Sequence, residues 1–273
     1  MARLGLGVGL TRRGGGGGAA APFDWTIGGA ASLARLHLAD DLSGADGAAV
    51  TSWPDTSGNS LSAYANATGS LLPTLGTKGG RRFVTSGPTE GAGAFLVANT
   101  ADTKLVSPTM ATRVFMLARQ NAASGNRDRV FGSSVSSGIV SVQITGNILR
   151  FTGTVIVDGA ASAIYANTLL GSNVIPNTFL VIEAYFNQTS SSYIDIYEDD
   201  GSRFELIQAT QPLNPDGNVT IGGEYLFARD TNGTKNLSIA GLVVYDVSSG
   251  DMTSAAKLAI RAKMVSIAAE MEA

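Results

Sequence analysis

Cysteine is absent from the 273-residue chain, and histidine occurs once, at position 37. No disulfide framework and no thiolate metal site can therefore form, and a site built from several histidines is excluded. A Ser–His–Asp arrangement would have to use His37, and a lone histidine near a strand end is ordinarily structural. Charged residues make up 15% of the chain, against about a quarter in ordinary domains. The net charge is −3, from 19 basic and 22 acidic residues, so the basic footprint of a nucleic-acid binder is missing. No apolar run approaches the roughly 18 to 20 residues that cross a bilayer as a helix, and no membrane insertion is expected. The apolar stretch Leu4–Leu10 is half glycine, and Arg12 and Arg13 follow it instead of preceding it. That order argues against a cleaved signal.

What is present is apolar residues at 44% and 34 glycines, with serine, threonine and asparagine frequent. This mix suits short strands, many turns and a weakly charged polar surface. Residues 1–22 stand apart: they hold Arg3, Arg12 and Arg13, no acidic residue, and five consecutive glycines from Gly14 to Gly18. Such a strip cannot bury enough of itself to offset its chain entropy. It is expected to be an arm held by partner subunits, with Arg3, Leu4, Leu6, Leu10, Arg12 and Arg13 as the anchoring contacts.

From residue 23 to 273 the pattern is that of one β domain. "TRVFMLARQ" (112–120) is β-branched and aromatic, and "GIVSVQIT" alternates apolar and polar residues. "TFLVIEAYF", "SYIDIYEDDGSRFELIQA" and "NVTIGG" read as further strands, with a hairpin turn at Asp199–Ser202 where Asp-Gly supplies positive φ. "LSIAGLVVYDV" is apolar throughout, as a strand covered on both faces would be. The chain closes on a predicted helix, capped by Asp251 or Ser254, with Leu258, Ile260, Met264, Val265 and Ile267 as its apolar stripe.

The stretch "LARLHLADDLSGADGAAVTSWPDTSGNSLSAYANATGSLLPTL" resembles the opening of concanavalin A-like, laminin-G-like jelly rolls of bacteriophage and bacterial surface proteins. "NVTIGG" and "IAGLVVYDVSSGDMTSAAKLAIRAKM" fit the later part of the same plan. His37 and Leu38 stand where that pattern commonly has Trp-Leu, and Pro54 where it has Ala or a polar residue. The Gly-rich start resembles N-terminal arms of phage structural proteins. The resemblance implies an all-β jelly-roll β-sandwich of the lectin/glucanase type, with an extended N-terminal arm and a C-terminal helix.

Several groups are candidates for chemistry. Trp53 is expected to plug the core between sheets. Asp55, Ser57 and Asn59 alternate along a turn, as the first half of a calcium loop does, or as an Asx-turn in which Asp55 accepts backbone N–H bonds and Gly58 takes positive φ. No cofactor is implied besides that calcium. Asp195 and Glu198 are three apart on one strand and so face opposite ways, and Glu183 stands alone. A glycosidase would need Glu183 and Asp195 to point into one cleft. Tyr225 and Phe227 with Arg229, Asp230 and Asn232 form a group suited to a sugar, and Tyr64 with Asn66 forms another. Arg127, Asp128 and Arg129 read as a solvated, self-paired loop.

These features lead to an expectation of a non-enzymatic virion structural protein, assembled in the bacterial cytoplasm as a tail fibre, spike or capsid decoration. Its arm would dock to other virion proteins, and its sandwich would project as a homo-oligomer that could bind host surface carbohydrate. The alternative is a free-standing lectin-like module, with a glycosidase behind it.

Overall fold

The computed structural model describes residues 22–59, 62–65, 72–85, 96–98, 112–121, 127–135, 138–145, 148–157, 160–169, 178–186, 191–197, 200–212, 221–226 and 237–273. Its strands in chain order begin with β1 (Ser32–Leu38), β2 (Ser52–Trp53), β3 (Ala63–Ala65), β4 (Thr74–Lys78), β5 (Arg81–Thr85) and β6 (Leu96–Ala98). The middle of the chain supplies β7 (Thr112–Gln120), β8 (Arg127–Val135), β9 (Gly138–Thr145), β10 (Ile148–Val157) and β11 (Ala160–Leu169). Then come β12 (Leu180–Phe186), β13 (Ser191–Tyr197), β14 (Arg203–Pro212), β15 (Ile221–Leu226), β16 (Leu237–Asp246) and the helix α1 (Ser254–Glu272).

These strands form two sheets, and the pairings between them are antiparallel. The first runs β14-β13-β12-β7-β16-β5-β4, with β1 also paired to β16; the second runs β11-β10-β9-β8-β15-β6-β3-β2. All-β architecture with a C-terminal helix is thus as the sequence leads one to expect.

β7 and β16 occupy the middle of the first sheet because both of their faces are apolar. On one face Val114, Met116, Ala118, Ile182, Ala184, Leu242 and Val244 are buried, on the side from which β8 of the second sheet approaches β16. On the other face Phe115, Leu117, Val181, Val243 and Tyr245 receive Ala256, Ile260, Met264, Ile267, Ala268 and Met271 of α1. Full burial of a large apolar side chain is worth about 1.5–3 kcal/mol, so this stripe fixes the helix on the sheet.

Two details of the helix differ from the sequence-based expectation. Thr253, not Asp251 or Ser254, caps it: its hydroxyl accepts from the Ala256 N–H at 3.1 Å. Asp251 is drawn instead to Arg113 on β7, the strand paired with β16. Leu258 is 61% exposed, because the buried stripe runs through Ala256 and Ile260 and leaves 258 on the outer side.

The far end of α1 is tied to the β4–β5 turn. Lys78 pairs with Glu272, Arg81 pairs with Glu270 at 2.6 Å, and Glu272 also accepts from the Phe179 N–H at 3.0 Å. The turn presses so close that a Cβ on Gly79, at φ +56°, would lie 1.8 Å from the Glu270 carbonyl oxygen. Only glycine fits there.

Candidate functional site

The Trp53–Asn59 loop is an edge cover. Among the described residues β1 pairs with β16 on one side only, and its other edge would offer bare backbone groups to any passing strand. Asp55 accepts from the N–H of Leu36 and of Ser57, both at 2.9 Å. The Thr56 N–H donates to the Leu36 carbonyl at 2.8 Å, and Asn59 Nδ2 donates to the carbonyls of Leu33 and Ala34 at 2.9 and 3.0 Å. The Ser57 hydroxyl donates to the other Asp55 oxygen at 2.9 Å, and Gly58 takes φ +95°. This is the Asx-turn geometry, with the carboxylate engaged by donors of the chain itself. Among the described residues no group of three or more His, Cys, Asp or Glu side chains could hold a metal ion.

Trp53 is fully buried in the second sheet, and its indole N–H donates to the Leu38 carbonyl of the first at 3.1 Å. His37, also fully buried, packs its ring edgewise on Trp53 and bonds the Pro54 carbonyl through Nδ1 at 2.9 Å. Burial first, then the charge of Arg35, pushes the His37 imidazole down to about 4, so it is neutral at ordinary pH.

Glu183 and Asp195 prove to be direct partners across β12 and β13, on one face. They do not open into a cleft, because α1 lies over that face. Glu183 and Arg113 are each 1% exposed and form an ion pair, and Arg261 of the helix bonds the second Glu183 oxygen at 2.7 Å. Arg113 also grips both oxygens of Asp251, at 3.0 and 2.9 Å, and Lys257 reaches the same carboxylate at 3.0 Å. Burial pulls the Asp251 carboxyl up, but the Lys257 ammonium and the Arg113 guanidinium outweigh it and hold it below the usual range. The Arg261 guanidinium stacks 4.1 Å over the Tyr197 ring, whose hydroxyl donates to Asp195 at 2.6 Å. These acids are occupied in clamping the helix, and α1 leaves no room above them for a glycosidic bond.

The arm residues Arg3, Leu4, Leu6, Leu10, Arg12 and Arg13 lie outside the described residues, as do Asn66, Glu198, Phe227, Arg229, Asp230 and Asn232. Tyr64 and Tyr225 are placed by backbone register. Both stand opposite Val97, so the two aromatic positions share one row across β3, β6 and β15.

The structure also forms a site that the sequence does not announce. A cavity of about 400 Å³ opens between the 22–25 segment, β1, the β4–β5 hairpin and the second half of α1. Its floor is Leu36, Leu38, Leu117, Ala240, Met264 and Ile267. Phe23 and Trp25 form one wall, with rings 4.7 Å apart edge to face. Trp25 is nearly buried and its carbonyl accepts the Tyr245 hydroxyl at 2.5 Å, so the wall is moored to β16, while Phe23 is half-buried and presents its ring. The rim carries Asp40, Asp41, Arg81, Arg82 and Lys263. Asp40 accepts from Arg81 Nη1 at 2.7 Å and from the Arg82 N–H at 2.9 Å. Among the described residues Asp41 receives only the Thr56 hydroxyl, at 3.3 Å, and burial raises its carboxyl above the usual range. The local signals for this site were the doubled charges Asp40-Asp41 and Arg81-Arg82 and the Phe-Asp-Trp stretch at residues 23–25; nothing in the sequence says they meet.

No family model matches the chain, and no curated protein matches its sequence. Solved structures do match. The binding domain of botulinum neurotoxin DC in complex with rat synaptotagmin II gives a TM-score of 0.58 at 12% identity, over 85% of this chain and 52% of that one. A structure of botulinum neurotoxin type C, whose cell entry is described as dependent upon interaction with two ganglioside molecules, gives 0.57 at 15% identity, over 87% and 52%. The botulinum neurotoxin serotype D binding domain gives 0.56 at 10% identity, over 84% and 51%. The chain spans about half the length of these structures, and at such identities the likeness is one of fold. This corrects the resemblance to jelly-roll domains of phage structural proteins: the matching structures are toxin binding domains, and they lend the virion role no support. The physical reason is that the motifs behind that resemblance, Trp53 and the Asp55–Asn59 turn, serve to cover a strand edge, a need that belongs to a fold and not to a lineage.

Proposed function

We propose that this chain is a non-enzymatic carbohydrate-binding module, closer to the lectin-like alternative than to a particle component. The observation that carries this reading is the cavity beside Phe23. Its volume lies in the usual range for small-molecule sites, roughly 300–1,000 Å³, and its apolar floor with a few convergent polar groups is the usual composition. A pyranose offers an apolar C–H face, suited to the Phe23 ring, and equatorial hydroxyls, suited to Asp41 and Arg82. The fold likeness to binding domains supports the same reading, as does the closed ion network around Glu183 and Asp195, which leaves that acid pair no access to substrate. A jelly-roll winding of the two sheets belongs to the proposal too; the late strands β15 and β16 each return to the middle of a sheet opened by earlier strands.

A glycan array probed with the full chain tests it. Specific binding is expected, with a loss of about tenfold or more for Phe23→Ala, since removing a stacked ring costs about 1–2 kcal/mol. The same array with Tyr225→Ala and Arg229→Ala examines the row shared by Tyr64 and Tyr225 as a second sugar position. No binding by the unaltered chain to any glycan would overturn the proposal.

A further inference from the structure

Two cations in the lining of the cavity have no ion pair among the described residues, and this selects a class of sugar; the inference rests on the carbohydrate reading above. Asp40 and Arg81 neutralise one another at 2.7 Å, with Glu270 also on Arg81 at 2.6 Å. That leaves Asp41, Arg82 and Lys263. Arg82 donates through Nη1 to the Gly44 carbonyl at 2.9 Å and has no carboxylate partner among the described residues. Lys263 likewise makes no ion pair among the described residues; its charge reaches Glu270 only as a weak, longer-range pull on that carboxyl. Arg82 and Lys263 are thus lining cations without an ion pair among the described residues, above a floor that is apolar and cannot supply a counter-charge. A half-buried cation without a partner is stabilised when an anion enters beside it.

We propose that the cavity takes a carboxylated sugar residue, its carboxylate held by Lys263 and Arg82, its hydroxyls by Asp41, and its apolar face on Phe23. A neutral sugar of the same shape would leave both cations unpaired on displacing their water. The carboxylate could come from a uronic acid or from a sialic acid, and the probes separate the two.

The test is isothermal titration of the full chain with four oligosaccharides: one ending in glucuronate, one in glucose on the same linkage, sialyllactose, and lactose. At least one acidic member is expected to bind about ten- to a hundredfold tighter than its neutral mate, as for a hydrogen bond to a charged group. The advantage should shrink in high salt and disappear in Lys263→Met and Arg82→Met, both of which keep the native circular dichroism. Neutral and acidic sugars binding alike would overturn the acidic class and leave the binding module standing. An acidic preference untouched by both variants would also overturn it, because the anion would sit elsewhere. No binding of any of the four, together with silence on the array, would remove both readings. A concentration-dependent dimer that excludes sugar would overturn the inference in favour of a second copy as occupant.

Discussion

Two sets of charges lie under the same helix, and they are built in opposite ways. Beneath its first half, Arg113, Glu183, Arg261, Asp251 and Lys257 form a closed set in which every carboxylate meets two cations and the central pair is sealed from water. Beside its second half, Asp41, Arg82 and Lys263 ring a cavity, exposed or half-exposed, with no carboxylate paired to either cation among the described residues. The first arrangement has used its electrostatics on itself. The second has not, and only groups still unmatched can recognise something from outside. The difference predicts that the first set governs stability and the second governs binding.

The largest effect is expected at Glu183. Glu183→Ala leaves Arg113 and Arg261 without their shared carboxylate, one of them fully buried, and breaking a buried pair in this way costs about 3–5 kcal/mol. Urea unfolding should show that loss; a change under about 1 kcal/mol would mean the network is wetter than it looks, and the contrast would fail.

Next is the face turned toward the other sheet, where His37 is buried with Arg35 near it and Asp55 as the nearest acid. The native imidazole resists protonation down to about 4 while the unfolded one accepts a proton near 6.5. Stability is therefore complete above pH 6.5 and falls as pH drops toward 4, by about 3 kcal/mol at 1.36 kcal/mol per unit. His37→Asn keeps a donor for the Pro54 carbonyl but cannot titrate. Its unfolding free energy, measured from pH 7 to 4, should lack that slope relative to the parent; parallel curves would refute the assignment.

A smaller effect is expected at the far anchor of α1. Gly79→Ala forces an alanine into left-handed backbone, at about 1–3 kcal/mol, and drives a methyl onto the Glu270 carbonyl. The last helical turn should lift, so amide exchange at residues 266–272 should quicken well before it does at 256–262. Equal exchange along the helix would show that the β4–β5 turn is not what pins it.

The elements most legible in the sequence are those whose reasons are local. β7 runs over the same residues as the "TRVFMLARQ" run, and β16 is apolar on both faces because both are covered. The Asp55–Asn59 turn is written in its Asx residues and Gly58, though not its purpose, since the β1 edge it covers lies about twenty positions upstream. The helix cap was expected at Asp251 or Ser254; Thr253 takes it instead, and Asp251 bonds to Arg113, 138 positions away. The Glu183–Asp195 pairing is a matter of register, which no local pattern specifies. The cavity was least legible of all. Its walls come from the 22–25 segment, β1, the β4–β5 hairpin, β16 and α1, and each contributor reads by itself as ordinary surface or core.

The smallest expected change in stability is at Lys263, and it is the sharpest test of the contrast. Lys263 lies on the same helix as Arg261, two residues on, with the same charge sign. Arg261 touches Glu183 at 2.7 Å and Tyr197 at 4.1 Å. Lys263 makes no such contact among the described residues. Lys263→Met should therefore alter unfolding free energy by no more than about 0.5 kcal/mol, as for a surface position. Arg261→Met should cost several times that, because it strips one of the two cations from a buried carboxylate. Measured side by side in urea, equal losses would mean that Lys263 is part of the framework after all, and the unmatched charge at the cavity mouth would lose its claim to a ligand.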